Sequence, residues 1–308
     1  MSKPKDIDYR QILKSLTRDE KRSLTALTNH HAATHLFGHL GLIAIMIWLN
    51  ATQTGTLGAL AMLGQGIGMC FLFCAMHEAS HGTAFKTSLF NKGLSLFVGL
   101  LIFQGPLWFK SFHAAHHRHT HDPDHDPELA SPKPQHWRAY FAHLSGIMIW
   151  ISSIKTLISN AITTPQDSFI PSSARKSVQQ EARLMVLFYL SLFTLGAYIV
   201  PTTFADIIIW FWLIPLLLGQ PFLRLFLLAE HAGCAQDPDM LKNSRTTRTN
   251  PLVLFLSWNM PYHTAHHSFP AVPFHQLKTF NSFIERHTAS IENGYTRFHH
   301  GYMKELKA

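Results

Sequence analysis

Long apolar runs alternate with polar, histidine-rich segments along the chain. Four runs reach the roughly 17–25 residues that a helix needs to cross a bilayer. They extend from Ala33 to Asn50, Leu57 to Met76, Leu184 to Pro201 and Phe204 to Ala229. The links Ala51–Thr56 and Thr202–Thr203 are short, which predicts two tight hairpins. A fifth run, Leu94 to Phe109, is shorter and broken by Gly99, Gly105 and Pro106. It reads as a segment that dips into the interface without crossing. The expected fold is therefore an all-α integral membrane protein. It has four transmembrane helices in two hairpins, a re-entrant or interfacial segment, and a cytoplasmic histidine-rich helical cap. With no internal repeat or low-complexity linker, residues 1–308 read as a single domain whose residues 1–32 form a cytoplasmic N-terminal tail.

Charge supports this topology. Of the 26 Lys and Arg residues, all but Arg224 lie in the N-terminal tail, the central segment or the C-terminal region. The positive-inside rule places those three regions, and both termini, on the cytoplasmic side. The net charge of +8 then describes a basic cytoplasmic face suited to anionic lipid or an acidic protein partner. Nothing in it is built to read nucleic acid. The chain is 47% hydrophobic and 14% charged, against about a quarter charged in a soluble domain. Its polar first thirty residues do not form a cleavable signal peptide. Cys70, Cys74 and Cys234 make no paired framework; the first two, a helical turn apart in an apolar run, read as core residues. "GQGIG" at Gly64–Gly68 lies inside a span with no preceding strand, so it is no dinucleotide loop. Gly64 and Gly68 fit instead the small-residue spacing that lets membrane helices pack closely.

The outlier is histidine: 22 residues against 18 Asp and Glu. "HEASH" at His77–His81 ends the second run, "HAAHH" spans His113–His117, "HTAHH" spans His263–His267, and His231 follows the fourth run in "LAEHAG". Residues at i, i+3 and i+4 share a helix face, so each cluster presents its imidazoles in one direction. With Leu94–Phe109 re-entrant, all four groups reach the cytoplasmic side and can meet. Their nine imidazoles (His77, His81, His113, His116, His117, His231, His263, His266 and His267) exceed the four to six positions of one ion. Two metals are implied, and imidazole alone does not name them. Read alone, His77-Glu78-xx-His81 is a zinc-protease pattern with Glu78 as general base, but that reading leaves seven histidines idle. A metal carrier without chemistry is a third class.

Other histidines carry less. His136, His143, His275, His287, His299 and His300 read as isolated surface or hydrogen-bonded residues. His31, His35 and His39 read as an interfacial helix face. His119, His121 and His125 lie in the proline-broken "RHTHDPDHDPE" and are weak ligand candidates. Glu78, Asp122, Asp124, Asp126 and Glu230 are carboxylates able to offset the metal charge and orient the rings; Glu78, Asp122, Glu230 and Asn259 are the outer residues singled out. Glu230 or Asn259 is expected to accept the second ring N–H of His231. Arg224, about two turns before His231, reads either as a structural ion pair or a side chain snorkelling to the interface, or as the holder of a polar or anionic part of a substrate. Arg245 and Arg248 in "SRTTRTN" are candidate contacts for a docking partner.

The order H-x-x-x-H, H-x-x-H-H, H-x-x-H-H over four spans resembles the membrane fatty acid desaturase and hydroxylase superfamily. The resemblance runs from about His77 to Leu277, and "NMPYHTAHHSFPAVPFHQL" at Asn259–Leu277 looks like its bacterial members. It implies two Fe²⁺ ions held by histidines, O₂ as co-substrate, an acyl lipid or fatty acid as substrate, and a bacterial inner membrane. No flavin, haem or iron–sulfur motif is visible, so electrons must come from outside. The expected donor is a small acidic redox protein of ferredoxin, rubredoxin or cytochrome type. Desaturation is the leading expectation; hydroxylation and oxidative decarboxylation to a terminal alkene use the same centre. One departure is Leu227, which stands where some desaturases carry an Asn four residues before the extra histidine. That brings the iron environment nearer a hydroxylase-type, all-histidine arrangement.

Overall fold

The structure, a computed structural model, describes residues 7–307 and is predominantly helical. Among the described residues four helices are long and apolar enough to cross a membrane: His30–Thr52, Gly55–Ser80, Ser172–Ile199 and Phe204–His231, termed the first to fourth spans. Three of them contain the run expected from hydropathy, the third stops at Ile199, two residues short of the expected Pro201, and all four include polar residues outside the run. The third is the extreme case, beginning with the polar turns Ser172–Arg183, which a search for apolar residues passes over.

The second span is the hub. Gly64 faces Met46 and Gly68 faces Ile43 of the first span, so the small-residue face does let those helices close up. His39 Nε2 meets Gly68 O at 2.9 Å across the same contact. On the other side the approach is closer still. A Cβ on Gly66 would fall 1.8 Å from Pro215 O, and one on Gly219 would fall 2.2 Å from Gly66 O. Backbone therefore touches backbone where the second span crosses the fourth.

That crossing is served by an irregular fourth span. Residues Ile209–Leu213 form a π-helical turn, and Pro215, which has no N–H, follows directly. Carbonyls left short of a helical donor are taken by polar side chains: Gln65 Nε2 donates to Phe211 O at 2.7 Å and Asn50 Nδ2 to Trp210 O at 3.3 Å. Such re-satisfaction is what makes a proline tolerable at membrane depth.

The third and fourth spans, despite their short link, do not pack as a tight hairpin. They meet at the link, where Phe204 lies against Gly196 and Phe193. Beyond it Phe103 is wedged between them, 5.4 Å from the Tyr189 ring and stacked 5.1 Å from Trp212. The third span packs instead on the helix Ile147–Ile162 through Leu157, Ala182 and Met185. Phe103 itself belongs to the predicted re-entrant segment. Helices Ser88–Ile102 and Pro106–His119 are bent by 102° there, with Phe103 left-handed at φ 62° and Pro106 opening the second helix. A second bent pair, Trp137–Ser145 and Ile147–Ile162, turns by 55° at Gly146. Sequence reading did not find it, because Ser152, Ser153, Lys155, Ser159 and Asn160 interrupt its apolar residues.

The residues after the fourth span fold over its end and that of the second. Strand Arg245–Thr247 pairs in parallel with Ser290–Glu292, helix Tyr295–Lys304 lies on the fourth span, and the short helix His263–Ser268 is buried between.

Candidate metal centre

Four helix segments deliver nine histidines to one place. His77 is in the last turn of the second span and His81 is its C-cap. His113, His116 and His117 share one face of Pro106–His119, and His231 ends the fourth span. His263, His266 and His267 occupy His263–Ser268, which the Trp258–Asn259 turn, left-handed at φ 53° and 59°, directs inward. Thr264 Oγ1 donates to Ser244 O at 3.1 Å and anchors that helix on the neighbouring strand.

The nine sort into two sets. His77, His81, His113, His117 and His266 form one, with their candidate ligand atoms all within 4.8 Å of one another. His116, His231 and His267 form the other, and His263 joins it, its Nε2 lying 2.9 Å from His231 Nε2. Within the first set His113 Nε2 is 2.9 Å from both His81 Nε2 and His117 Nε2, and His117 Nε2 is 3.1 Å from His266 Nε2. Within the second, His116 Nε2 and His231 Nε2 are 3.2 Å apart.

These spacings fit metal ligation. A metal held by imidazole at about 2.0–2.1 Å places ligands at right angles about 2.9 Å apart. In the second set the protonation is dictated as well. His116 Nδ1 lies 3.0 Å from Asp126 Oδ1, and His231 Nδ1 lies 3.0 Å from Asn243 O. Both partners are acceptors, so each Nδ1 carries the proton and each neutral Nε2 turns a bare lone pair toward the other. Two facing lone pairs call for a cation between them. Burial and neighbouring imidazoles push His113, His117, His263, His266 and His267 well below the ordinary histidine range. Burial, then Lys110, lowers His81 to about 4. Neutral rings are the form a metal needs. His116 alone is shifted upward; burial opposes the shift, and Glu128 and Asp126 outweigh it.

The outer contacts differ from expectation. Asn243 O, a main-chain acceptor, takes the His231 ring N–H, rather than Glu230 or Asn259. Glu230 Oε1 lies 3.3 Å from His263 Nδ1, off the hydrogen-bonding direction. The Asn259 side chain donates to Phe274 O at 3.1 Å, bracing the turn before the third cluster. Asp122 sits with His119 and His125, a more exposed group outside the nine, and Asp126 is the carboxylate that reaches a clustered ring. Glu78 Oε1 accepts from Phe274 N at 3.0 Å, a structural contact between the second span and the cap.

A fatty acid desaturase family model matches residues 52–299. The chain belongs to the fatty acid desaturase family. No curated protein matches it. Family membership and the apolar helices make it a membrane protein of oxidoreductase type, and both histidine sets lie inside the matched region of this desaturase-family chain.

Elsewhere His35 Nε2 meets Phe255 O at 2.8 Å, His31 stacks on His275 at 4.2 Å, and His299 bridges Tyr140 OH and Leu225 O. All are packing roles. Arg245 is buried, donates to Ala229 O at the end of the fourth span and stacks over Phe298 at 4.5 Å, so it does not present a docking surface. Arg248 is exposed and pairs with Glu285 at 2.9 Å. Arg224 is partly buried, and its Nε has no acceptor among the described residues. Gln220 Oε1, one turn earlier, and His143 Nε2 are likewise buried and unpartnered. Sequence reasoning missed Thr120, whose Oγ1 lies 3.3 Å from His267 Nδ1, and Glu128, whose Oε2 lies 3.4 Å from His116 Nε2. The only signal for either was closeness to the second cluster.

Proposed function

We propose that this chain is an O₂-dependent di-iron oxidoreductase that desaturates a fatty acyl chain. The observation that carries the reading is the division of nine histidines into a set of five and a set of four, with Nε2 atoms converging at 2.9–3.2 Å. One ion cannot use nine imidazoles, and two can. When bound, two irons supply the redox chemistry: two hydrogens leave adjacent acyl carbons, and O₂ with two electrons and two further protons becomes two waters.

The protein's own part is positioning and exclusion of water. His116 and His231 are fixed as Nδ1–H tautomers by Asp126 and Asn243. The nine rings lie under the cap, out of bulk water, which suits an oxidant strong enough for an unactivated C–H bond. A zinc-protease centre would need Glu78 over an open metal position. Here Glu78 is engaged by Phe274, and His77 and His81 share their set with three more imidazoles.

Hydroxylation or oxidative decarboxylation of a free fatty acid is the second reading. It is favoured by the buried, unpartnered Arg224 Nε, a charged donor that would suit a substrate carboxylate. Electrons would come from a small acidic redox protein on the basic, cytoplasmic face of a bacterial inner membrane, with Arg248 the better-placed of the two candidate arginines.

Lipid mass spectrometry of cells expressing the wild type and His117→Ala tests the function. New double bonds dependent on the wild type are expected. Hydroxy acids or terminal alkenes would select the second reading, and a lipid profile unchanged by the wild type under O₂ and a working donor would sink both.

A further inference from the structure

We propose that Glu128 is a ligand of the four-imidazole site, giving that site an anionic fifth protein donor. The inference rests on the two-metal reading and concerns how one of the two positions is completed. His116 Nδ1 is committed to Asp126, which also accepts the backbone N–H groups of His121 at 2.9 Å and Glu128 at 3.0 Å. The neutral His116 ring therefore carries its lone pair on Nε2. That atom faces His231 Nε2 at 3.2 Å and Glu128 Oε2 at 3.4 Å. Two further acceptors, neither carrying a proton, thus face the bare lone pair of His116 Nε2. Ligand atoms at about 2.0–2.1 Å from a metal with five donors lie about 2.9–3.6 Å apart, so the carboxylate stands at ligand distance from its neighbour.

Glu128 is held there from both sides. The 3₁₀ turn Pro127–Ala130 starts at Asp126, the same residue that orients His116, so one carboxylate sets the ring and the backbone of Glu128 together. The other Glu128 oxygen, Oε1, accepts from Lys133 Nζ, leaving Oε2 directed at His116. The donor counts then balance: five imidazoles in one set, four imidazoles and a carboxylate in the other. The carboxylate also makes the two positions chemically unequal, since a hard anionic oxygen stabilises the more oxidised, harder ion. The competing arrangement is an imidazolium–carboxylate pair between His116 and Glu128 that never touches a metal.

The experiment compares ⁵⁷Fe-loaded, purified full-length wild type with Glu128→Gln and Glu128→Asp, reading iron per chain and the Mössbauer spectrum. Wild type should hold about two irons in two distinguishable doublets; a wild type holding only one would overturn the two-metal reading itself. Glu128→Gln should lose one doublet and fall to about one iron per chain, with helical circular dichroism preserved. Glu128→Asp keeps the charge but shortens the reach, and should shift that same doublet even if the Gln variant fails to fold. Wild type with two irons and either folded variant with both doublets unchanged would overturn the Glu128 assignment and leave the two-metal reading standing.

Discussion

The two histidine sets are built differently although they share two helix segments, Pro106–His119 and His263–Ser268. The five-imidazole set relies on number. The Nδ1 atoms of His77, His117 and His266 are buried with no acceptor among the described residues, so little except packing orients those rings. The four-imidazole set relies on outer contacts for three of its rings: Asp126 for His116, Asn243 O for His231 and Thr120 for His267, while His263 Nδ1 makes no hydrogen bond among the described residues. A ring held by an acceptor behind it is pre-aimed before any metal arrives. A crowd of unheld, buried imidazoles depends on the metal to justify its burial, because an unmet polar nitrogen costs about 1–3 kcal/mol. Metal should therefore matter more to the stability of the first set, and outer residues more to the second.

Ligand deletion is the largest test of that division. His117→Ala and His231→Ala should each abolish turnover and lower iron from about two to about one per chain, with a different site emptied in each variant. Iron analysis with Mössbauer spectroscopy separates them; loss of the same signal in both would break the two-set arrangement. Removing all metal with a chelator should then lower the unfolding temperature, and less so in His117→Ala, which has already lost its five-imidazole metal.

The next largest effect belongs to Asp126→Asn. Loss of an outer partner typically costs about 10–100-fold in metal affinity or activity, and here the loss should fall on the four-imidazole site alone. Acid should pick out the same site. His116 is shifted upward, so as pH falls a proton competes for its ring first, whereas the downshifted His81, His113, His117 and His266 stay neutral to lower pH. Iron loss followed by spectroscopy during acidification should begin at the four-imidazole site. Simultaneous loss from both would contradict the assignment.

The sequence made the clustered histidines far more legible than their supports. Repeated i, i+3, i+4 histidines announce themselves, and the short loops around the spans bring His231 to the same side as the clusters. Supports obey no such period. Asp122 and Asp126 lie in one loop beyond the end of a helix, where no periodicity chooses between them, and only the turn from Asp122 to Pro127 shows that Asp126 points back. The acceptor for His231 is a main-chain carbonyl, which no side-chain pattern can reveal. The membrane helices divide in the same way. Purely apolar runs were visible, whereas the wedge at Phe103, which separates the third and fourth spans, depends on a left-handed residue at a bend. The contact between Gly66 and Gly219 likewise depends on which faces of two distant helices meet.

The smallest expected effect is also the sharpest probe of pre-aiming. Thr120 Oγ1 donates to His116 O at 2.7 Å, so toward His267 Nδ1, 3.3 Å away, it acts as an acceptor. That fixes the proton of His267 on Nδ1 and leaves Nε2, which is buried and has no other partner, as the ligand atom. Thr120→Val keeps the shape and removes the hydroxyl, costing about 0.5–1.5 kcal/mol, or roughly a 2- to 12-fold loss in iron affinity at the four-imidazole site. Thr120→Ser should restore it, since only the methyl is lost. A competition titration against a chelator of known affinity would measure both. Equal affinity in Val and wild type would mean that the His267 ring is held by packing alone, and the contrast between an anchored set and a crowded one would rest on Asp126 and Asn243.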